Sequence, residues 1–161
     1  MRNKIRDAYY NIKNGVSNLI KWTPTIWKDR DFDHFYFHEI MKQKLIHMEE
    51  FSRSKYAWGA DSEKDADNMR IAINLLKRMT DSSAYDEESM KPFNDKYPDY
   101  EFKLEFKPCE DNPNLSTMVN DKTEEQSELV HQCYKVSEEL EEKDYDELYS
   151  LLKKHIQEWW D

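Results

Sequence analysis

Apolar residues recur at spacings of three and four from the start of the chain. Ile5, Ala8, Tyr9, Ile12, Val16, Leu19 and Ile20 share one side of a helix of about five turns. Pro24 disfavours helical geometry at Thr23, so this helix is expected to stop near Trp22. A second helix should follow, capped by Asp29 or Asp31, with Phe32, Tyr36, Ile40, His47 and Phe51 on one stripe. Phe37, Met41, Leu45 and Met48 widen that stripe, which predicts burial on more than one side. Ser62 and Asp65 have the spacing of a capping box, and Ala66, Met69, Ala72, Ile73, Leu76 and Met79 continue with helical period.

Between Thr80 and Lys122 the period changes. Four prolines interrupt the segment, and Tyr100, Phe102, Leu104 and Phe106 alternate with Glu101, Lys103, Glu105 and Lys107. Alternation of this kind predicts a strand. Leu115, Thr117 and Val119, across a Cys109–Asn114 loop, can pair with it as a hairpin, or the strand can add to another molecule's sheet. Helical period returns with Leu129, Cys133, Val136 and Leu140, then with Tyr145, Leu148, Leu152, His155 and Trp159. Asp144 and Glu147 resemble a capping box, which predicts two antiparallel helices meeting near Lys143. No heptad seam of extended coiled-coil length is expected. The fold class is mainly α: a single-domain bundle of about five helices spanning residues 1–161, with an insertion over 81–122 that is irregular or a β-hairpin around 97–119.

Composition agrees with that class. With 38% hydrophobic and 36% charged residues and only two glycines, the chain suits helices better than a turn-rich β fold. An aromatic share of 14% argues against disorder. Two cysteines 24 residues apart, no apolar run at the N-terminus and no stretch long enough to span a bilayer predict a reduced, cytoplasmic protein without a membrane partner.

The net charge of -10 is divided unevenly. Residues 1–80 carry 15 Lys and Arg against 11 Asp and Glu, whereas residues 81–161 carry 9 against 23. All six arginines lie in the first half, so an anionic ligand should bind there, and the acidic half disfavours a long nucleic acid. The acidic run from Glu138 to Glu147 reads as a solvated face.

Chemically able side chains gather in and after the turn that follows the first helix. Trp27 and Trp58 offer stacking surfaces, Arg30 and Arg70 offer guanidinium forks, and His34 and His38 can donate to phosphate, so these six form a candidate ligand-binding set for a nucleotide-like anion. With only Gly15 and Gly59, no phosphate-cradling glycine loop can be built. Asp31, His34 and His38 are spaced by three and four and would project from one helix face, the alternative reading being a metal-dependent enzyme completed by a ligand such as Glu39, Asp65 or His131. No catalytic residue is assigned, neither cysteine looks activated, and no particular cofactor is implied.

The segment from Asn11-Ile12 through Asn18 to Trp22, then Ile26 to Asp33, together with Ser62-Glu63-Lys64 and the ending His155-Ile156 to Trp159-Trp160-Asp161, resembles a group of small uncharacterised bacteriophage proteins. The resemblance covers most of the first 80 residues and the last few. It implies a phage accessory factor in the host cytosol that works by binding, either sequestering a nucleotide-like signal or masking a host defence protein. It carries no mechanism. A structural or oligomeric scaffold is a third reading, resting on Trp159, Trp160 and the strand.

Overall fold

In a computed structural model, the described residues are 4–30, 35–57, 59–81, 83–101, 103–109, 112, 114–120 and 122–160. The fold is mainly helical with a small antiparallel sheet, in the order α1 (Lys4–Ile26), α2 (Phe35–Ser52), α3 (Ser62–Met79), α4 (Ala84–Ser89), α5 (Lys91–Lys96), β1 (Leu104–Pro108), β2 (Ser116–Asn120) and α6 (Glu124–His155). A 3-10 turn over Glu158–Trp160 follows α6. The chain forms two compact units, Met1–Thr80 with Leu148–Asp161, and Asp81–Glu147.

The first unit is organised by α3. Its stripe at spacings of three and four buries Ala66, Met69, Ala72, Ile73, Leu76 and Met79, and Leu75 adds to it. Leu45 of α2 and, within the same unit, Leu148 and Leu152 are also buried. In the second unit Phe93, Val130 and Cys133 form a small core, with Met90, Tyr97, Tyr100 and Leu129 packed on it. Phe93 stands edge-on to Tyr100 with ring centroids 5.4 Å apart. The hairpin has the expected partners, running from Leu104 opposite Asn120 to Pro108 opposite Ser116.

Several boundaries differ from expectation, each for a local reason. α1 does not stop at Trp22; it continues through Pro24 to Ile26. The Thr23 hydroxyl donates to the Leu19 carbonyl, and the Trp27 N–H donates to the Thr23 carbonyl at 2.8 Å, so the helix closes beyond the proline. The final segment is one helix of 32 residues rather than two. Asp144 caps nothing there: it is buried, and its carboxylate accepts the Tyr85 hydroxyl at 2.9 Å inside the second unit. A carboxylate used sideways in this way leaves the helix free to continue. The Ser62 box is not formed either, because Asp61 takes the N-cap position and makes no side-chain capping bond. The expected cap Asp31 lies outside the described residues.

The apolar stripe of α2 is only partly core. Phe37 and Phe51 are exposed, and the buried residues of this helix are His38, Leu45 and Glu49.

Removing the Asp144 carboxylate should loosen the second unit. Asp144→Ala is expected to lower stability by about 1.5–3 kcal/mol, the usual worth of a hydrogen bond to a charged group, while Asp146→Ala, on an exposed position, should stay within about 0.5 kcal/mol. Urea unfolding followed by helical circular dichroism measures both.

Candidate functional site

The sequence points to the surroundings of Trp27, and the residues proposed there have different fates. Trp27, in the turn after α1, is 81% exposed. The Arg30 guanidinium is folded back on its own turn, donating from Nη1 to the Asp29 carbonyl at 2.8 Å and to the Lys28 carbonyl at 3.4 Å. His38 is buried in α2, edge-on to Phe37 with centroids 5.8 Å apart. Arg70, on α3, is tied to Glu49, with Nη2 2.6 Å and Nε 2.8 Å from Oε1. His34 and Trp58 lie outside the described residues, as does Asp31, so the Asp31, His34 and His38 set is described only at His38. Among the described residues no group of three or more His, Cys, Asp or Glu side chains could hold a metal ion.

Glu49 is the centre that periodicity did not reveal. Its carboxylate is buried at the end of α2 and accepts from Arg53 Nε at 3.0 Å as well as from Arg70. Arg53 extends further, to Glu63 at 2.9 Å and Asp67 at 2.8 Å, so five charged side chains join α2 to α3. Burial alone would raise the Glu49 carboxyl. The hydrogen bonds from Arg70 and Arg53 outweigh it and hold the group below its ordinary value, and the Asp67 and Glu49 carboxylates raise Arg53 in turn. Both guanidiniums are bound to carboxylates, which describes a structural clasp between helices. The signal in the sequence was the Glu49-to-Arg53 spacing of four.

α1 is the opposite case. No residue of this 23-residue helix is buried. Ile5, Tyr9, Ile12, Val16, Leu19 and Ile26 are each more than half exposed, and Thr23 completes their row on the same face. The steps between these seven positions alternate four and three, the spacing of a coiled-coil seam, sustained over three heptads. In heptad terms Tyr9, Val16 and Thr23 occupy a, and Ile5, Ile12, Leu19 and Ile26 occupy d. Pro24 falls on b, away from the seam. The C-terminal half of the face opens into a groove of about 880 Å3 lined by Gly15, Asn18, Leu19, Trp22, Thr23, Ile26 and Trp27. None of Arg30, His38 and Arg70 lines it.

One edge of α1 does touch its own unit. Trp22, half-buried, stands edge-on to His47 of α2 with centroids 5.3 Å apart. Burial, with Lys21 adding to it, lowers the His47 pKa, so the ring is neutral at pH 7; its Nε2 lies 2.8 Å from Gln43 Nε2.

A second, smaller apolar slot of about 270 Å3 lies between α2 and the chain end, lined by residues that include Phe37, Met41, Met48, Ile156 and Trp159. Among the described residues the Trp159 Nε1 has no hydrogen-bond partner.

No protein-family model, no curated protein and no solved structure matches the chain. Among the described residues no helix is long and apolar enough to cross a membrane.

The Glu49 clasp makes a pH-dependent contribution whose sign is fixed. A carboxyl lowered by folding stabilises fully above its unfolded value of 4.5, and the stabilisation is lost as pH falls through the lower folded value. Glu49→Gln should therefore cost about 1.5–3 kcal/mol at pH 7 and progressively less below pH 4.5. Denaturant midpoints of the two proteins from pH 7 to pH 3 should converge; parallel curves would contradict the assignment.

Proposed function

We propose that this protein acts by binding another protein and that the apolar face of α1 is the contact surface. The observation that carries this reading is the seam itself: over three heptads six large apolar side chains, with Thr23 as the seventh member, stand exposed on a helix with no buried residue. Exposed apolar surface on this scale is costly unless a partner covers it. A helix presenting a four-three seam is matched to a helical surface on that partner.

The resemblance to small bacteriophage proteins favours an accessory factor that engages a host component. Of its two forms, masking a host protein is better supported than sequestering a nucleotide-like anion. Trp27 lines an apolar groove in which no described residue is a cation, and Arg70 is already engaged by Glu49. Among the described residues the groove thus offers stacking without charge, whereas a nucleotide phosphate needs both.

Comparative affinity capture tests the reading. Tagged native protein should retain a host protein that the Ile12→Glu, Leu19→Glu double variant loses, and Arg30→Ala should retain it. Both substituted side chains are solvent-exposed in the single chain, so the core that α2 and α3 form should keep its unfolding midpoint to within about 1 kcal/mol. Recovery of the same proteins by native and variant chains would remove α1 from the function.

A further inference from the structure

We infer that the helix received by α1 is α1 of a second copy, packed antiparallel, so that the protein assembles as a two-fold dimer through this seam. The inference rests on the reading of α1 as a protein contact surface and names what covers that surface while no host protein is bound.

The distribution of charge along α1 selects this occupant. In the heptad frame the flanking e positions are Arg6, Lys13, Ile20 and Trp27, basic in the first half of the helix and apolar in the second. Antiparallel helices bring e positions of one against e positions of the other. Aligning Tyr9 with Ile26 of the second copy sets Val16 against Leu19 and Thr23 against Ile12, each an a position opposite a d. The same register lays Arg6 beside Trp27 of the second copy and Lys13 beside its Ile20. A guanidinium then meets an aromatic face, and a lysine stem covers an aliphatic side chain with its ammonium in water. No like charges face one another. Shifting the register by one heptad toward the N-terminus would set Lys13 against Lys13 of the second copy, which disfavours it.

Two further features fit the antiparallel arrangement. Three of the four d positions are isoleucine, where parallel dimers favour leucine. Gly15, at a g position, would face Trp22 of the second copy. A Cβ placed on Gly15 meets nothing within 4 Å, so there is open space on the flank where the larger side chain arrives. Because the same patch serves both copies, the contact closes on itself and goes no further than two.

Sedimentation equilibrium of the native chain from 1 to 100 µM, with the Ile12→Glu, Leu19→Glu variant beside it, tests this. The native protein should reach twice the 19.6 kDa chain mass. The variant should remain monomeric, its dissociation constant raised by about 100-fold or more because unpaired carboxylates enter the seam. Orientation is read from spin labels on Lys4→Cys, with Cys109→Ser and Cys133→Ala removing the native thiols. Antiparallel copies place the two labels about 40 Å apart along the helix axes, and parallel copies about 10 Å. A native chain that stays monomeric at 100 µM overturns the inference. So does one that associates equally with the variant or gives only the short label distance, and so does a monomer that binds phosphatidylserine vesicles through α1. If the chain is monomeric yet captures a host protein that the variant loses, the second copy is wrong and the contact surface stands.

Discussion

Neutralisation of one buried carboxylate fixes how α2 meets α3, and that meeting decides which apolar faces the first unit uses. Glu49 can be buried only because Arg53 and Arg70 both donate to it, and Arg53 stays in place because Glu63 and Asp67 hold its other nitrogens. With α2 clasped there, the stripe of α3 from Ala66 to Met79 has its partner and is almost wholly removed from water. Lys42 adds a second tie, donating to Thr80 at 2.8 Å at the other end of α3. The arrangement leaves α1 with little to pack on beyond the edge of Trp22 against His47.

A helix of this length, interrupted by Gly15 and Pro24, has weak intrinsic stability in water. Its four-three row of Ile, Tyr, Val and Leu contributes nothing to the fold of a single chain, since every member is more than half exposed. The physical question posed by the protein is therefore what covers α1. A basic e flank in its first half and an apolar e flank in its second let the helix pack on its own reverse without setting like charges against one another.

Much of the fold was legible because it obeys a simple period. The stripes of α1 and α3, the beginning of α3 to within a residue and the pairing of two strands across the Cys109–Asn114 loop follow from spacing alone. The failures come where a residue's actual hydrogen bonds differ from its usual local signal. Asp144 has the sequence context of a cap but bonds Tyr85, so α6 does not break; Pro24 signals an end, but Thr23 and Trp27 carry the helix past it. Glu49 reads as one more solvated charge until Arg70, 21 residues away, is brought to it. The candidate site was legible in part. Trp27 does line a groove, but its neighbours there are apolar residues of α1, while Arg30, His38 and Arg70 are each engaged elsewhere. That the seam stays uncovered could not be read from its spacing, because a buried stripe and an exposed one look alike in sequence.

The most direct test of this account is amide hydrogen exchange along α1 as a function of protein concentration. If α1 is ordered by a second copy, amides from Tyr9 to Ile26 should exchange slowly at 100 µM and at least tenfold faster at 1 µM, while those of α3 stay unchanged. Exchange of α1 that is the same at both concentrations, whether fast or slow, would contradict it.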